Sequence, residues 1–334
     1  MPVVMLKKER LKNKVTRPWT IKIEGTEGCN LMCKFCGIHG IRERAGNYRF
    51  MEIGMADLIA KQLAEFCPTA RFEWEGHGDL LINPHYLSIL KRFRKYLPDA
   101  QIQVTTNGLA IKDRFEKSVK DLLMVVDFII FDTYKPVRRW LRPACEDLKK
   151  KNVSVYDYFI DKKSPYANYH RKFTNSIIMM DDLLLHDGEK KTRSMHNAAG
   201  NNQMIGPTRE PLRKICTIPF REIFICHDGF IPLCCLDFGR EFKAGHVNKK
   251  HIGDIWLGPR MEAARKILST RLRGFSPCSR CNRRAGERVG FLPKYPPPTA
   301  IDIAHIIGAH AGADRLNGMN PYLHPEVEAI VLNP

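Results

Sequence analysis

Three cysteines, Cys29, Cys33 and Cys36, lie within one short segment near the start of the chain. Their C-x3-C-x2-C spacing brings three thiolates to one tight loop. A closed structural zinc site uses four protein ligands, and a disulfide would leave one of the three cysteines over. Three thiolates suit a 4Fe–4S cluster in which one iron has no protein ligand. A substrate or cosubstrate can bind at that open iron.

A second group of cysteines lies in the last third of the chain, at Cys216, Cys226, Cys234, Cys235, Cys278 and Cys281. Four of these thiolates would close a second metal site. Residues 226–237 predict a hairpin in which an Asp-Gly turn precedes a strand that carries Cys234 and Cys235. Because neighbours on a strand point to opposite sides, Cys235 is the alternative to Cys234 as a ligand.

The composition limits the class of protein. The chain has 334 residues and is 44% hydrophobic, which suits one large domain and a smaller one. No apolar run reaches the roughly 18 residues of a transmembrane helix, and the first residues do not form a signal peptide. We therefore predict a cytoplasmic protein without a membrane partner. Eleven cysteines in such a protein indicate metal ligands rather than disulfides.

The net charge of +18 favours anionic partners such as nucleic acid, phosphorylated metabolites or acidic peptides. A solvated basic surface is the alternative interpretation. Residues 166–173 interleave aromatic and basic side chains, and they are the candidate segment for stacking on nucleic acid bases.

Elements that could position these groups alternate along the first half of the chain. Strands are predicted at 19–24, 70–75, 101–105, 125–131, 153–159 and 175–180. Helices are predicted between them, at 55–66, 86–96, 114–124 and 137–150. Strands joined by helical crossovers indicate a parallel α/β sheet. The Cys29 loop directly follows the carboxyl end of the first of these strands.

The three-cysteine spacing, with Phe35 directly before the third cysteine, resembles the radical S-adenosylmethionine (radical SAM) superfamily. The resemblance implies a partial (β/α)6 TIM-like barrel and S-adenosylmethionine bound at the open iron. An electron from the cluster would break the S–C5′ bond, and the resulting 5′-deoxyadenosyl radical would abstract a hydrogen atom from substrate. It also implies a reductant such as flavodoxin or ferredoxin.

Two other strand ends resemble cosubstrate motifs of this family. Residues 75–79 resemble its G-G-E-P motif, with histidine and aspartate where glycine and glutamate are usual, and residues 105–108 match its T-N-G stretch. An ordinary tight turn is the alternative for each. The implied cosubstrate contacts are Phe35, Gly76, His77, Gly78, Asp79, Thr106 and Asn107. His77 and Asp132 are also candidates for a contact with substrate, and a structural role is the alternative for both.

The second half resembles the SPASM/twitch domain through C-x(n)-G-x4-C-C-x-D, then G-x-V…I-W, then P-C-x2-C. The full pattern has further cysteines after the last pair, and this chain has none there. The resemblance therefore implies one auxiliary 4Fe–4S cluster, on Cys216, Cys234, Cys278 and Cys281, with Cys235 as a substitute for Cys234. Zinc on the same four thiolates is the alternative.

We expect a basic arm over residues 1–17, the barrel over 18–200, a small α+β cluster domain over 201–290 and a tail over 291–334. An auxiliary cluster with four protein ligands cannot bind substrate, which favours oxidation or modification with electron relay. A small-molecule substrate is one option, as in the 2-deoxy-scyllo-inosamine dehydrogenase branch. The alternatives are a peptide or nucleic-acid substrate, or a metal-stabilised nucleic-acid-binding protein that is not an enzyme.

Overall fold

The computed structural model describes residues 15, 17–38, 47–157, 174–180, 196–283, 295–296 and 298–309. Most of the predicted basic arm, the aromatic segment 166–173 and the tail beyond residue 309 lie outside the described residues. The described chain divides into two compact units. The first contains residues 22–31, 47–157 and 174–180, and the second contains the remainder.

The first unit is built on a sheet of short, mostly buried strands. They are β1 (Thr20–Ile23, of which Lys22 and Ile23 belong to this unit), β4 (Arg71–Trp74), β5 (Gln101–Thr106), β6 (Phe128–Asp132), β7 (Ser154–Asp157) and β8 (Ser176–Met180). Their order in the sheet is β7-β8-β6-β5-β4-β1, and β4, β5, β6, β8 and β7 pair in parallel. A small separate ribbon joins β2 (Thr26–Glu27) to β3 (Arg49–Phe50). The predicted parallel α/β fold is confirmed.

Helices connect the strands of this unit as the sequence predicts. They are α1 (Ile53–Phe66), α2 (Tyr86–Tyr96), α3 (Phe115–Leu123) and α4 (Lys135–Lys150). Phe93 of α2 contacts Phe72 and Trp74 of β4, with ring centroids 6.2 and 4.7 Å apart. Because side chains alternate along a strand, Glu73 and Glu75 lie on the opposite face of the sheet.

One strand begins later than the sequence predicts. Val125 and Val126 belong to the turn that ends α3, and both amides donate to the carbonyl of Leu122, at 2.8 and 2.9 Å. The strand β6 therefore starts at Phe128, although the apolar run begins at Val125. An apolar run alone does not separate a buried turn from a buried strand.

The second unit contains shorter elements. Its strands are β9 (Glu222–Ile225), β10 (Phe230–Ile231) and β11 (Gly245–His246), and its helices are α5 (Ile218–Arg221), α6 (Ile252–Trp256), α7 (Pro259–Ser269) and α8 (Ala300–Ile307). The strand β10 pairs antiparallel with β11. None of the helices in the described part of the chain is long and apolar enough to cross a lipid bilayer.

The predicted hairpin is correct in its turn and wrong in its second strand. Gly229 has φ = 87° and its amide donates to the carbonyl of Cys226 at 2.9 Å, which forms the expected turn. The strand β10 ends at Ile231, before Cys234 and Cys235, because Pro232 has no N–H to continue the ladder. The cysteine pair lies instead in a turn, where the Asp237 amide donates to the carbonyl of Cys234 at 3.1 Å.

Candidate active site and auxiliary metal centre

Two loops meet at the carboxyl edge of the sheet in the first unit. The Gly28 amide donates to the carbonyl of His77 at 3.0 Å, and the Asp79 amide donates to the carbonyl of Gly28 at 3.2 Å. These bonds form a parallel bridge between Gly28 and Gly78. A Cβ atom on Gly78 would overlap the carbonyl oxygens of Thr26 and Gly28. Gly78 is therefore needed for the close approach of the loops after β1 and β4.

Asp79 joins the loop after β4 to the end of β5. Its carboxylate accepts hydrogen bonds from the Thr106 hydroxyl at 2.8 and 2.9 Å, from the Asn107 amide at 3.0 Å and from the Leu81 amide at 3.0 Å. Burial raises the pKa of Asp79, and these hydrogen bonds oppose that effect. The side chain of Asp79 therefore holds the predicted T-N-G segment in place.

Asn107 connects this network to the first cysteine. Its Nδ2 donates to Oδ1 of Asn30 at 2.9 Å and lies 3.5 Å from Sγ of Cys29. The Leu31 amide also points at this sulfur, at 3.5 Å. Hydrogen bonds to a cysteine sulfur tune the potential of an iron–sulfur cluster bound there. This contact of Asn30 is not predictable from the sequence, because nothing in the type or position of Asn30 separates it from an ordinary loop asparagine.

Cys33 and Cys36 belong to the second unit, where they form a tight turn. The Cys36 amide donates to the carbonyl of Cys33 at 2.9 Å, and Phe35 between them is half-buried. A Cβ atom on the next residue, Gly37, would lie 2.6 Å from Cβ of Ala198. Like Cys29, these two cysteines are half-buried, and three thiols are the donor set that a 4Fe–4S cluster with one open iron requires.

The two candidate substrate contacts each have a partner inside the protein. Nδ1 of His77 lies 3.0 Å from Oε2 of Glu24, and both side chains are fully buried. Asp132 ends β6 and accepts a hydrogen bond from the Tyr134 hydroxyl at 3.1 Å. A contact between substrate and either residue stays a prediction.

The face of the sheet opposite α2 carries a charged network. Nζ of Lys22 lies 2.5 Å from Oε1 of Glu75 and 3.3 Å from Glu73, and the Thr105 hydroxyl donates to Glu75 at 3.2 Å. Burial raises the pKa of Glu75, but Lys22, Arg71 and the hydrogen bond from Thr105 together outweigh burial and lower this pKa, so Glu75 is ionised. The side chains of Lys22 and Glu75 are 17% and 24% exposed, so this face of the sheet offers accessible polar groups.

Four of the cysteines in the second unit surround one cavity. Its lining includes the buried residues Cys216, Cys234, Cys278 and Cys281. Cys235 is half-buried and does not line this cavity. Burial, followed by the proximity of the other thiols, raises the pKa of Cys234 and Cys278. A bound metal centre would remove this repulsion, so the four thiols fit either a 4Fe–4S cluster or zinc.

Buried polar groups hold the turns that carry these thiols. Asp237 accepts hydrogen bonds from the amides of Glu241 at 2.9 Å and Phe242 at 3.0 Å. Asn197 and Asn282 exchange hydrogen bonds, with distances of 2.7 and 2.9 Å, and Asn282 follows Cys281 directly. These hydrogen bonds therefore help to fix the segments that frame the cavity.

One cavity residue, Arg273, was missed by the sequence analysis. It is about 1% exposed and lies beside the four thiols. Arg273 is one of 54 lysines and arginines, and most basic residues are on protein surfaces. No pattern in the sequence distinguishes it from the others.

Comparison with known protein families supports both halves of this description. The family model described as the radical SAM superfamily matches residues 23–147, which include the three-cysteine loop and the strand ends described above. Residues 23–147 are therefore a radical SAM domain. A second family model, for the iron–sulfur cluster-binding SPASM domain, matches residues 216–282, which include all four cavity cysteines.

Two solved structures of BtrN share the fold of this chain. The structure of BtrN in complex with AdoMet and 2-DOIA has a TM-score of 0.60 and 19% identity, and the match covers 81% of this chain and 95% of BtrN. The structure of BtrN in an open conformation has a TM-score of 0.52 and 18% identity, and the match covers 80% of this chain and 93% of BtrN. For the structure of anSMEcpe with AdoMet, the match covers 95% of this chain and 98% of anSMEcpe, at 13% identity and with a TM-score of 0.45. No curated protein matches the sequence.

The two domain matches establish the cofactors and the reaction class in outline. This radical SAM protein is an enzyme that uses S-adenosylmethionine, a catalytic 4Fe–4S cluster and auxiliary iron–sulfur chemistry. It requires an external reductant and a substrate, as its family does. The non-enzyme alternative is therefore set aside. The ligand set of each cluster and the identity of the substrate remain proposals.

Proposed function

We propose that this radical SAM enzyme oxidises or otherwise modifies a small polar molecule, with flavodoxin or ferredoxin as the reductant. Cys29, Cys33 and Cys36 hold the catalytic cluster in this proposal. The auxiliary cluster is held by Cys216, Cys234, Cys278 and Cys281. When bound, the catalytic cluster and S-adenosylmethionine supply hydrogen-atom abstraction, and the auxiliary cluster supplies a site that takes up one electron.

The observation that carries this proposal is the four-thiol cavity. Because four cysteines line it, every iron of a bound cubane can have a protein ligand, and none is left for substrate. Oxidation of a C–H group by two electrons releases a hydrogen atom, an electron and a proton. A buried, fully ligated cluster is suited to take the electron without contacting the substrate.

The charged network on the face of the sheet opposite α2 supports a small polar substrate. Lys22, Glu75 and Thr105 present a cation, an anion and a hydroxyl close together, and Lys22 and Glu75 are partly accessible. Such groups recognise hydroxyl and amino substituents by hydrogen bonding. BtrN, whose fold this chain shares, was solved with both AdoMet and 2-DOIA, which supports the small-molecule option over a peptide.

Residues around the first site act by positioning. Gly78 lets the loops after β1 and β4 approach, and Asp79 fixes the main chain of Asn107. The amide side chain of Asn107 then holds Asn30 and points at Cys29. This network keeps the cosubstrate motifs and the first cluster ligand in one geometry, which is the main contribution a protein makes to cofactor chemistry.

The test is a reaction of the anaerobically purified enzyme with reductant and S-adenosylmethionine, in which 5′-deoxyadenosine is quantified with and without candidate substrates. Substrates would be panels of polyhydroxylated and amino-substituted small molecules, each deuterated at its carbons, and panels of peptides and oligonucleotides. We expect small molecules of this class to stimulate 5′-deoxyadenosine formation and to transfer deuterium into it. One equivalent of oxidised product per 5′-deoxyadenosine would support electron uptake by the auxiliary cluster.

Matched variants identify the source of the signal. Cys29→Ala should abolish 5′-deoxyadenosine formation, whereas Cys67→Ala should not, since Cys67 is buried in the first unit as an ordinary apolar residue. Deuterium transfer from peptides or oligonucleotides alone would replace the small-molecule proposal with one of its alternatives.

A further inference from the structure

Arg273 is a buried cation that is held rigidly by main-chain carbonyls. Its Nε donates to the carbonyl of Lys214 at 2.8 Å, its Nη1 to that of Arg283 at 2.7 Å and its Nη2 to that of Ile215 at 3.1 Å. These carbonyls flank the predicted ligands, because Ile215 precedes Cys216 and Arg283 lies two residues after Cys281. The guanidinium is thus fixed beside the four-thiol cavity, which it helps to line.

No carboxylate among the described residues forms an ion pair with Arg273, whose hydrogen-bond acceptors there are neutral carbonyls. Other arginines of the same unit have acidic partners, such as Arg240 with Asp228 at 2.6 Å. A buried charge without a counter-ion is strongly destabilising. Beside the described residues, a negatively charged group bound in the cavity would supply the counter-ion that Arg273 lacks among them.

Four thiolates give a bound 4Fe–4S cluster a net negative charge, and reduction makes that charge larger. A fixed positive charge nearby stabilises the reduced form more than the oxidised form, which raises the reduction potential. We propose that Arg273 is the built-in counter-ion of the auxiliary cluster and raises its potential, so that the cluster is a better electron acceptor. This inference rests on the proposed function, since it requires the four cysteines to hold that cluster.

The chain offers a matched control in Arg265. This arginine is also fully buried, and it donates to the carbonyls of Pro219 and Trp256, both at 2.8 Å. Its guanidinium lies 4.2 Å from the centre of the Trp256 ring. Arg265 does not line the cavity. Replacing it removes a buried cation and its carbonyl contacts without removing the charge beside the thiols.

The experiment uses the full-length Cys29/Cys33/Cys36→Ala variant, in which the only expected iron–sulfur signal is that of the auxiliary cluster. R273Q, R273K and R265Q are added separately to this parent. Iron content is measured for each, and the reduction potential is measured by a titration followed by electron paramagnetic resonance. We expect R273Q to keep its iron and to have a more negative potential than the parent. R273K and R265Q should remain close to the parent.

Each other outcome has a defined meaning. An unchanged potential in iron-loaded R273Q overturns the role of Arg273 and leaves the proposed function intact. If R273Q loses its iron, the R273K variant separates the two explanations. Iron retained in R273K at the parental potential supports a requirement for positive charge at this position. Loss of iron from R273K as well overturns the counter-ion role and indicates a structural role for Arg273. A parent that contains zinc in place of auxiliary iron removes both this inference and the proposed electron acceptor.

Discussion

Nδ2 of Asn107 lies 2.9 Å from Oδ1 of Asn30, and this hydrogen bond ties the end of β5 to the loop that carries Cys29. The same amide group lies 3.5 Å from the Cys29 sulfur. Asp79, from the loop after β4, fixes the main chain of Asn107 at 3.0 Å. The two strand-end segments that the sequence assigns to cosubstrate binding therefore form one connected network with the loop that carries the first predicted cluster ligand.

Replacing Asn107 with alanine should slow formation of 5′-deoxyadenosine by about tenfold. Loss of a hydrogen bond to a charged group costs roughly 1.5–3 kcal/mol, and about 1.4 kcal/mol corresponds to tenfold in rate. The rate is measured with saturating reductant and varied S-adenosylmethionine. N30A and the double variant N107A/N30A complete a double-mutant cycle. The pair acts as a unit if the double variant is no slower than N107A, and fully additive losses would contradict the network.

Replacing Gly78 with alanine should destabilise the first unit by about 1–3 kcal/mol, the usual cost of overpacking. The new Cβ atom would overlap two carbonyl oxygens and lie 2.8 Å from the amide nitrogen of Gly28. Gly54 is the matched control, because a Cβ atom there meets nothing within 4 Å in α1. G54A should be neutral or stabilising by up to about 1 kcal/mol. The measurement is thermal unfolding of both variants. Equal transition temperatures for G78A and G54A would show that stability does not require the close approach of the two loops.

Replacing Cys234 with alanine should remove the auxiliary iron, and replacing Cys235 should not. Cys234 lines the cavity with the other three thiols, whereas Cys235 is half-buried outside the lining. Iron and acid-labile sulfide per chain, measured after anaerobic reconstitution, separate the two variants. The opposite result, with iron lost only in C235A, would exchange the roles of the two neighbours.

The pH dependence of stability should change when Asp237 is replaced with asparagine. Burial raises the pKa of Asp237 from 3.8 to about 7, since the amide hydrogen bonds from Phe242 and Glu241 offset only part of that effect. Between pH 3.8 and about pH 7, Asp237 is protonated in the folded state and ionised in the unfolded state. The contribution of Asp237 to the free energy of unfolding is therefore at its maximum below pH 3.8 and is lost as the pH rises towards about 7. We expect the free energy of unfolding of D237N to fall less than that of the native chain over this range. Denaturant unfolding at several pH values measures it, and parallel profiles would contradict the shift.

Much of the first unit could be predicted from the sequence because its signals are local. The helix α2 has its predicted ends, Tyr86 and Tyr96, since its apolar residues recur at helical spacing. The predicted start of β6, Val125, is three residues before its observed start, Phe128. The reason is that a valine buried in a turn gives the same apolar signal as one buried in a strand. The cysteine pair was placed on a strand for a related reason, since apolar residues continue past Pro232 while backbone pairing does not.

The contacts that organise the two sites could not be predicted, because they join residues far apart in sequence. Asn107 and Asn30 are separated by 77 positions, and Arg273 reaches the carbonyl of Lys214 across 59. The buried pair of His77 and Glu24 is a similar case, since a loop histidine gives no local sign of burial. Residue type and spacing identify thiols that can bind metal, but the groups that position or neutralise them emerge only from the fold.

We propose that one chain carries an open catalytic cluster on Cys29, Cys33 and Cys36 and a closed auxiliary cluster elsewhere. The decisive measurement is iron and acid-labile sulfide per chain, after anaerobic purification of the native protein and of the Cys29/Cys33/Cys36→Ala variant. We expect about eight irons in the native chain and about four in the variant, with 5′-deoxyadenosine formed only by the native chain. Zinc without iron in the second site would remove the electron acceptor, and an unchanged iron content in the variant would contradict the placement of the catalytic cluster.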